Sequence, residues 1–224
     1  EPNMKAAAMT MMAYYMSVVT DLWGDVPCSE ALQGAEELTP AYDDQSAIYP
    51  ALEQMLADAA AMFDAGADDL GVGDVMFGGD VTKWQKFANS LRVRLLVRSS
   101  DREPANLNAA ATILASEPVM TDVTDNAMLT FIGDAVYSNP LYDNAFYDNR
   151  DDHAVSATLV DIMSAGGFAS VDDPRLAEYA NVNNNGMYVG QPSGSSEPTD
   201  LGSISRIGDD FRNTPTAPVY AMTY

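Results

Sequence analysis

Asp80-Val81-Thr82-Lys83-Trp84-Gln85-Lys86-Phe87-Ala88-Asn89-Ser90-Leu91-Arg92-Val93-Arg94-Leu95 carries the pattern that sets the fold class. Asp80 is a helix-capping residue type, and Trp84, Phe87, Ala88, Leu91 and Leu95 follow it at helical spacing. Five of the chain's 11 basic residues lie on this helix: Lys83, Lys86, Arg92, Arg94 and Arg98. Against 33 acidic residues, they read as partners for carboxylates on neighbouring helices, and Arg92, Arg94 and Arg98 are expected to tie the scaffold together.

The same periodicity extends in both directions. Met4, Ala7, Ala8, Met11, Met12, Tyr15, Val18, Val19 and Leu22 predict a first helix with that face inward, capped at Asn3 and stopped at Gly24 and Pro27. Ile48, Leu52, Met55, Leu56, Ala59, Met62 and Phe63 predict a second. Pro50 places its start near Asp44 or Ser46, in a first turn that tolerates proline, and Gly66 is the expected C-terminal cap. A fourth helix is predicted from Pro104 to Ser116 with Leu107, Ala111 and Leu114 inward. Four amphipathic helices joined by loops suggest helix-turn-helix pairs of the tetratricopeptide kind, without a strict 34-residue repeat signature.

Composition excludes several classes of function. The net charge is -22, which repels phosphate backbones, so no nucleic-acid partner is expected, and anionic membrane surfaces are disfavoured. The acidity reads as a solubility feature. No apolar run reaches 18 residues, so no transmembrane helix is predicted. Cys28 is the single cysteine and His153 the single histidine, so no intrachain disulfide is possible and a histidine-based triad has only one candidate. Gly-x-Ser-x-Gly, phosphate-loop and His-Glu-x-x-His motifs are absent. No catalytic residue, metal or cofactor is assigned, and the chain is read as not an enzyme.

Beyond residue 118 the character changes. A short strand is expected near Met128 to Ile132, a loop from Tyr137 to Asp152, a fifth helix from about Val155 to Ala165 ending at Gly166-Gly167, and a turn or helical start at Asp173-Pro174-Arg175-Leu176. Asn181 to Asp200, rich in Asn, Gly, Ser and Pro, is expected to be irregular. With no linker visible, residues 1–224 read as one domain: a helical scaffold (1–118) and a loop-rich portion (119–224).

Several segments together resemble the SusD/RagB-like family, and more closely its SusD-like group from Bacteroidota. They are Asp21-Leu22-Trp23-Gly24-Asp25-Val26-Pro27 with Ser29-Glu30-Ala31-Leu32; Tyr42-Asp43 with Ile48-Tyr49; Gly79-Asp80, Lys83-Trp84 and Phe87 to Leu95; Asp173-Pro174-Arg175-Leu176; Tyr188-Val189-Gly190 with Pro192 and Gly194; and Ser205-Arg206-Ile207-Gly208. The resemblance implies a mostly α fold of tetratricopeptide-like helix pairs with a loop-rich irregular face. It implies an outer-membrane, cell-surface lipoprotein that binds oligosaccharide and lies as a lid over a SusC-like TonB-dependent transporter. Family members are about twice as long, begin with a lipidated cysteine and an earlier helix, and continue into further helices. The chain is therefore expected to be an internal fragment, with the lipid anchor belonging to the full-length protein.

Tyr137 to Arg150 is the best ligand-site candidate. Tyr137, Tyr142, Phe146 and Tyr147 alternate with Asn139, Asp143, Asn144, Asp148, Asn149 and Arg150. Aromatic faces suit the apolar C–H faces of sugar rings, and amides and charged groups suit their hydroxyls. The residues assigned to ligand binding are Tyr137, Asn139, Tyr142, Asn144, Tyr147, Asn149 and Arg150, with Tyr188 from a weaker second stretch. The residues alone leave open an ordinary polar loop pinned by its aromatics. Asp143, Asn144, Asp148, Asp151 and Asp152 supply hard oxygens without the Asp-x-Asp-x-Asp-Gly spacing of a calcium loop. Trp84, on the apolar stripe, is read as core, and Trp23 is read as a core aromatic closing the helix-loop corner in preference to a sugar-stacking platform. The alternatives to capture are a glycoside hydrolase using a carboxylate pair, and a structural or peptide-binding surface subunit.

Overall fold

Asp80 caps its helix as its sequence position predicts. Its carboxylate accepts from the Thr82 and Lys83 amides at 3.0 and 3.1 Å. The helix it starts, α3 (Val81–Ser99), follows α1 (Pro2–Trp23) and α2 (Gln45–Met62) and precedes α4 (Ala105–Ser116). Then come strand β1 (Ala127–Leu129), the short helices α5 (Pro140–Phe146), α6 (Ala157–Met163), α7 (Leu176–Tyr179) and α8 (Asp209–Arg212), and strand β2 (Val219–Met222). The structure, a computed structural model, describes residues 1–67, 70–150, 153–165, 172–195 and 200–223. The expected helix end at Gly166-Gly167 lies outside the described residues, as do Asp151 and Asp152.

The chain is mostly helical, and consecutive helices pack in succession, α1 on α2, α2 on α3 and α3 on α4, as tetratricopeptide-like pairs do. Contacts divide it into two compact units, residues 1–128 with 220–224, and residues 129–219. β1, which begins one residue before the predicted strand and stops at Leu129, pairs with β2 in a two-stranded sheet, so the chain leaves and rejoins the first unit on paired strands.

In the first unit the core joins Ile48, Leu52 and Leu56 of α2 with Trp84, Phe87 and Leu91 of α3. Trp84 is 6% exposed, as expected of a core aromatic. Its indole N–H donates to Asp74 Oδ2 at 2.8 Å. Asp74 also accepts from the Met76, Phe77 and Gly79 amides, so one carboxylate orders the glycine-rich loop before α3 and anchors the indole to it.

α1 packs only part of its predicted face, with Ala7, Met11 and Val19 partly buried against the core, and turns a row of smaller residues fully inward. The buried residues are Asn3, Ala6, Thr10, Ala13, Ser17 and Thr20, whereas Met4, Tyr15, Val18 and Leu22 are exposed. Small residues let helix backbones approach closely, and the buried hydroxyls need no partner on another helix. Thr10 Oγ1 donates to the Ala6 carbonyl, Ser17 Oγ to that of Tyr14 and Thr20 Oγ1 to that of Gly24. Asn3 is not a cap. Buried inside α1, it donates to the Asp64 carbonyl at 2.8 Å and accepts from the Asp64 amide at 2.9 Å, clamping the start of α1 to the chain just past α2.

Other boundaries differ for local reasons. Pro50 stands in the second turn of α2 on an exposed position, where water can serve the carbonyl its missing N–H leaves over. α2 ends at Phe63, not Gly66, because Phe63 is extended and Asp64 Oδ1 takes the Gly66 amide at 2.8 Å. α4 buries Ala110 and Ile113 and leaves Leu107, Ala111 and Leu114 exposed.

The basic residues of α3 behave largely as expected. Arg92 pairs with Glu53 at 2.9 Å, Arg98 with Asp21 at 2.8 Å and Lys86 with Asp125 at 2.9 Å. Arg94 is exposed and makes no ion pair among the described residues, so the tying role falls to Arg92 and Arg98. Burial pushes the Asp125 carboxyl up, but the Thr121 amide and the Lys86 ammonium outweigh it and hold it below the usual carboxylate range.

Trp23 is not a core aromatic. It is 69% exposed at the corner where α1 ends on Gly24, whose φ of 74° suits glycine. The loop beyond it is pinned rather than slack. Val26 and Asp43 exchange backbone hydrogen bonds, and the Asp43 carboxylate accepts from the Ser29 amide and hydroxyl and the Cys28 amide. Those donors hold the Asp43 carboxyl below the usual carboxylate range.

The second unit is built from short helices and single β-bridges, Ala154 with Arg206, Ser156 with Gln191 and Ala180 with Ile207. Its core holds Val155, Val160, Met163, Leu176 and Ala180, with Leu159, Tyr188 and Ile207 against it. The fifth predicted helix appears as the shorter α6, capped by Ser156, whose hydroxyl accepts from the Leu159 amide at 3.2 Å. Asp173-Pro174-Arg175 leads directly into α7. Arg175 holds the Asp173 carboxyl down at about 2 through its side chain and amide.

Candidate functional site

Tyr137 to Arg150 contains a helix where a loop is expected. Asn139 followed by Pro140 places a capping side chain before a residue whose φ is already helical, and α5 starts there. The Asn139 carboxamide accepts from the Leu141 amide at 2.8 Å and donates to the Ala217 carbonyl at 2.9 Å. Its own amide donates to the Pro215 carbonyl at 2.8 Å. Asn139 is buried and fully engaged, so it positions the site rather than facing a ligand. Beside it the buried Ser138 hydroxyl donates to the Asp143 carboxylate, locking the first turn.

Upstream, Asp134 Oδ1 accepts from the Val136 and Tyr137 amides, and the Tyr137 carbonyl accepts from Gly133 at 2.9 Å. Gly133 has a φ of 85°, and a Cβ there would meet the Thr216 methyl at 2.7 Å. The turn therefore needs glycine, and it leaves the Tyr137 ring exposed.

The i, i+4 spacing on α5 stacks Tyr142 on Phe146, centroids 4.5 Å apart with 24° between planes. Tyr147 meets Tyr142 edge-on at 5.8 Å. Phe146 and Tyr147 are each about half exposed. The Arg212 guanidinium of α8 lies 5.7 Å from the Phe146 centroid, and α5 packs on α8. The three rings therefore stand on a short helix fixed at its cap and along one side.

The structure thus brings Tyr142 and Tyr147 together with Phe146. Asn144 is half-buried on α5, and its carbonyl accepts from the Arg150 amide at 2.7 Å. Asn149 is exposed with a φ of 51°, a conformation asparagine tolerates, and Arg150 is exposed beside it. Tyr188 belongs elsewhere, half-buried against the core of α6 and α7. Asp143, one of the oxygens considered for calcium, is occupied by Ser138, and among the described residues no three His, Cys, Asp or Glu side chains converge. Arg212 is the participant that sequence reading misses, because it lies far along the chain with no local motif marking it.

The arrangement offers the exposed parts of Phe146 and Tyr147 beside one guanidinium, which suits a ligand with apolar C–H faces and hydroxyls. All of residues 1–224 match the family model SusD-like_2, described as starch-binding and associating with the outer membrane. The chain belongs to the SusD-like family. Among solved structures, a chitin-binding protein shares 28% identity at a TM-score of 0.80, covered over 100% of this chain and 49% of its own. A SusD homologue from Bacteroides uniformis shares 27% identity at a TM-score of 0.80, over 97% of this chain and 45% of its own. A chitin-binding SusD homologue from Flavobacterium johnsoniae shares 26% identity at 0.77, over 97% and 45%. The chain spans about half the length of these solved structures. Among curated proteins, none matches its sequence.

Proposed function

We propose that this SusD-like chain is the glycan-capturing part of a non-enzymatic cell-surface protein, lipid-anchored in the outer membrane in its full-length form. It binds oligosaccharide and hands it to a SusC-like TonB-dependent transporter. The observation that carries the reading is the Tyr142–Phe146–Tyr147 group, held on a helix that buried Asn139 and Ser138 fix in place. Exposed aromatic area on a pre-ordered support favours a stacked ring, because little conformational freedom remains to be lost on binding. The chitin-binding neighbours and the family's starch-binding description support a carbohydrate ligand. The net charge of -22 favours a neutral one.

Isothermal titration against a panel of neutral oligosaccharides, including those of chitin and starch, tests this reading. Saturable binding, reduced in the Tyr142→Ala/Tyr147→Ala variant, is expected. Undiminished binding in that variant rejects the α5 site, and turnover of any glycan rejects the capture-only role. Co-purification of the full-length protein with a TonB-dependent transporter tests the partner.

A further inference from the structure

A second aromatic surface lies in the first unit. Trp23, Leu32 and Tyr42 wall an open depression of about 580 Å³, floored by Val19, Val26 and Pro27. Trp23 is 69% exposed, Tyr42 74% and Leu32 83%, so this corner turns its large apolar groups outward. The volume falls within the range typical of small-ligand sites.

The loop around it is held by more bonds than turning a chain corner requires. Gln45 donates through Nε2 to the Thr20 carbonyl at 2.7 Å, and its amide donates to Asp25 Oδ1 at 2.9 Å. Glu30 Oε2 accepts from the Ala41 amide at 2.8 Å, just before Tyr42. With the Asp43 cluster and the Val26–Asp43 pairing, both walls are fixed from behind while the indole and phenol remain uncovered. Leu32 sits at a φ of 64°, uncommon for a leucine. Exposed aromatics on an ordered support are the arrangement a flat ligand needs.

We propose that the Trp23–Tyr42 depression is a second carbohydrate site, taking one neutral sugar ring face-on against the indole. This rests on the glycan-binding reading above but not on the α5 site. The Asp25 carboxylate at the rim and the acidic chain as a whole select against uronate or sulfated sugars. The chain then carries a carbohydrate site in each of its two units.

The chain supplies its own reporter, because it has two tryptophans and Trp84 is buried. Acrylamide quenching of intrinsic fluorescence reports mainly on Trp23. Chitin oligosaccharide is expected to lower the quenching constant in the wild type and equally in Tyr142→Ala/Tyr147→Ala, with no effect in Trp23→Phe/Tyr42→Ala. The latter variant is expected to lose one of two calorimetric binding sites with an unchanged circular dichroism spectrum. Calorimetric binding of the oligosaccharide without any change in Trp23 quenching overturns the second site and leaves the glycan reading standing. Failure to bind any glycan removes both. Trp23 already shielded in the sugar-free protein, at all concentrations or only at high ones, shows that polypeptide or a second copy covers the surface and overturns the proposal.

Discussion

The Tyr49 hydroxyl donates to Asp21 Oδ1 at 2.5 Å, and the other oxygen of Asp21 pairs with Arg98 at 2.8 Å. One carboxylate thereby joins α1, α2 and α3 at a single point. Burial pushes the Tyr49 phenol up to about 12, with the Asp21 hydrogen bond and charge adding to the shift.

The sign of the resulting pH dependence follows from that shift. The folded phenol keeps its proton to a higher pH than the unfolded one, whose value is near 10. Its contribution is complete below about pH 10 and is lost as the pH rises towards about 12. Tyr49→Phe is expected to cost about 1 kcal/mol at neutral pH, discounted for a half-buried site, and to flatten this alkaline limb. Urea unfolding between pH 8 and 12 measures both, and an unchanged alkaline slope in the variant counts against the linkage.

Lys86 and Asp125 make the opposite prediction at acid pH. The folded Asp125 carboxyl lies below its ordinary value of 3.8, so its stabilisation is present above that value and disappears as the pH falls through the folded one. Asp125→Asn leaves a partly buried ammonium without its counter-charge and is expected to cost about 1–3 kcal/mol at pH 7. The variant's stability should also vary less with pH below 4, which thermal melts across pH 2 to 5 resolve.

Asn139→Ala and Tyr147→Ala separate support from contact. Losing the cap and the Ala217 contact is expected to cost about 1–2 kcal/mol and to raise amide exchange across α5. Glycan affinity falls as a consequence. Tyr147→Ala, at an exposed ring, is expected to reduce affinity with little change in melting temperature. Equal losses of stability in the two variants contradict this division.

Gly208 marks a backbone contact that admits no side chain. It is buried, its amide donates to the Tyr179 carbonyl at 2.9 Å, and an added Cβ would press on the Glu178 carbonyl oxygen. Gly208→Ala is expected to destabilise the second unit by about 1–3 kcal/mol. Exchange of the α7 amides should rise while α1–α3 stay protected, and global loss of protection would show that the two units unfold together.

The helical class was legible because α3 buries large residues at helical spacing behind a local cap, both visible in a short window. The residues that α1 and α4 bury fully were not. Hydrophobic size points to Met4, Tyr15, Val18, Leu22, Leu107 and Leu114, whereas the apolar residues buried are Ala6, Ala13, Ala110 and Ile113. Buried Thr10, Ser17 and Thr20 look polar in sequence and become neutral only when their hydroxyls bond backbone carbonyls nearby. At the candidate site the residue types were readable, and Asn139-Pro140 is a helix-start signature that the surrounding asparagines and aspartates obscure. Arg212 reaches Phe146 only through the fold.

The chain departs for its loop-rich unit from β1 and comes home on β2, two strands bonded side by side. A segment whose ends emerge together behaves as a cassette. It can be lengthened, recombined or grafted at one seam while the helices of the first unit keep their register, so a lineage can retool what it grips without re-engineering the rest of the chain.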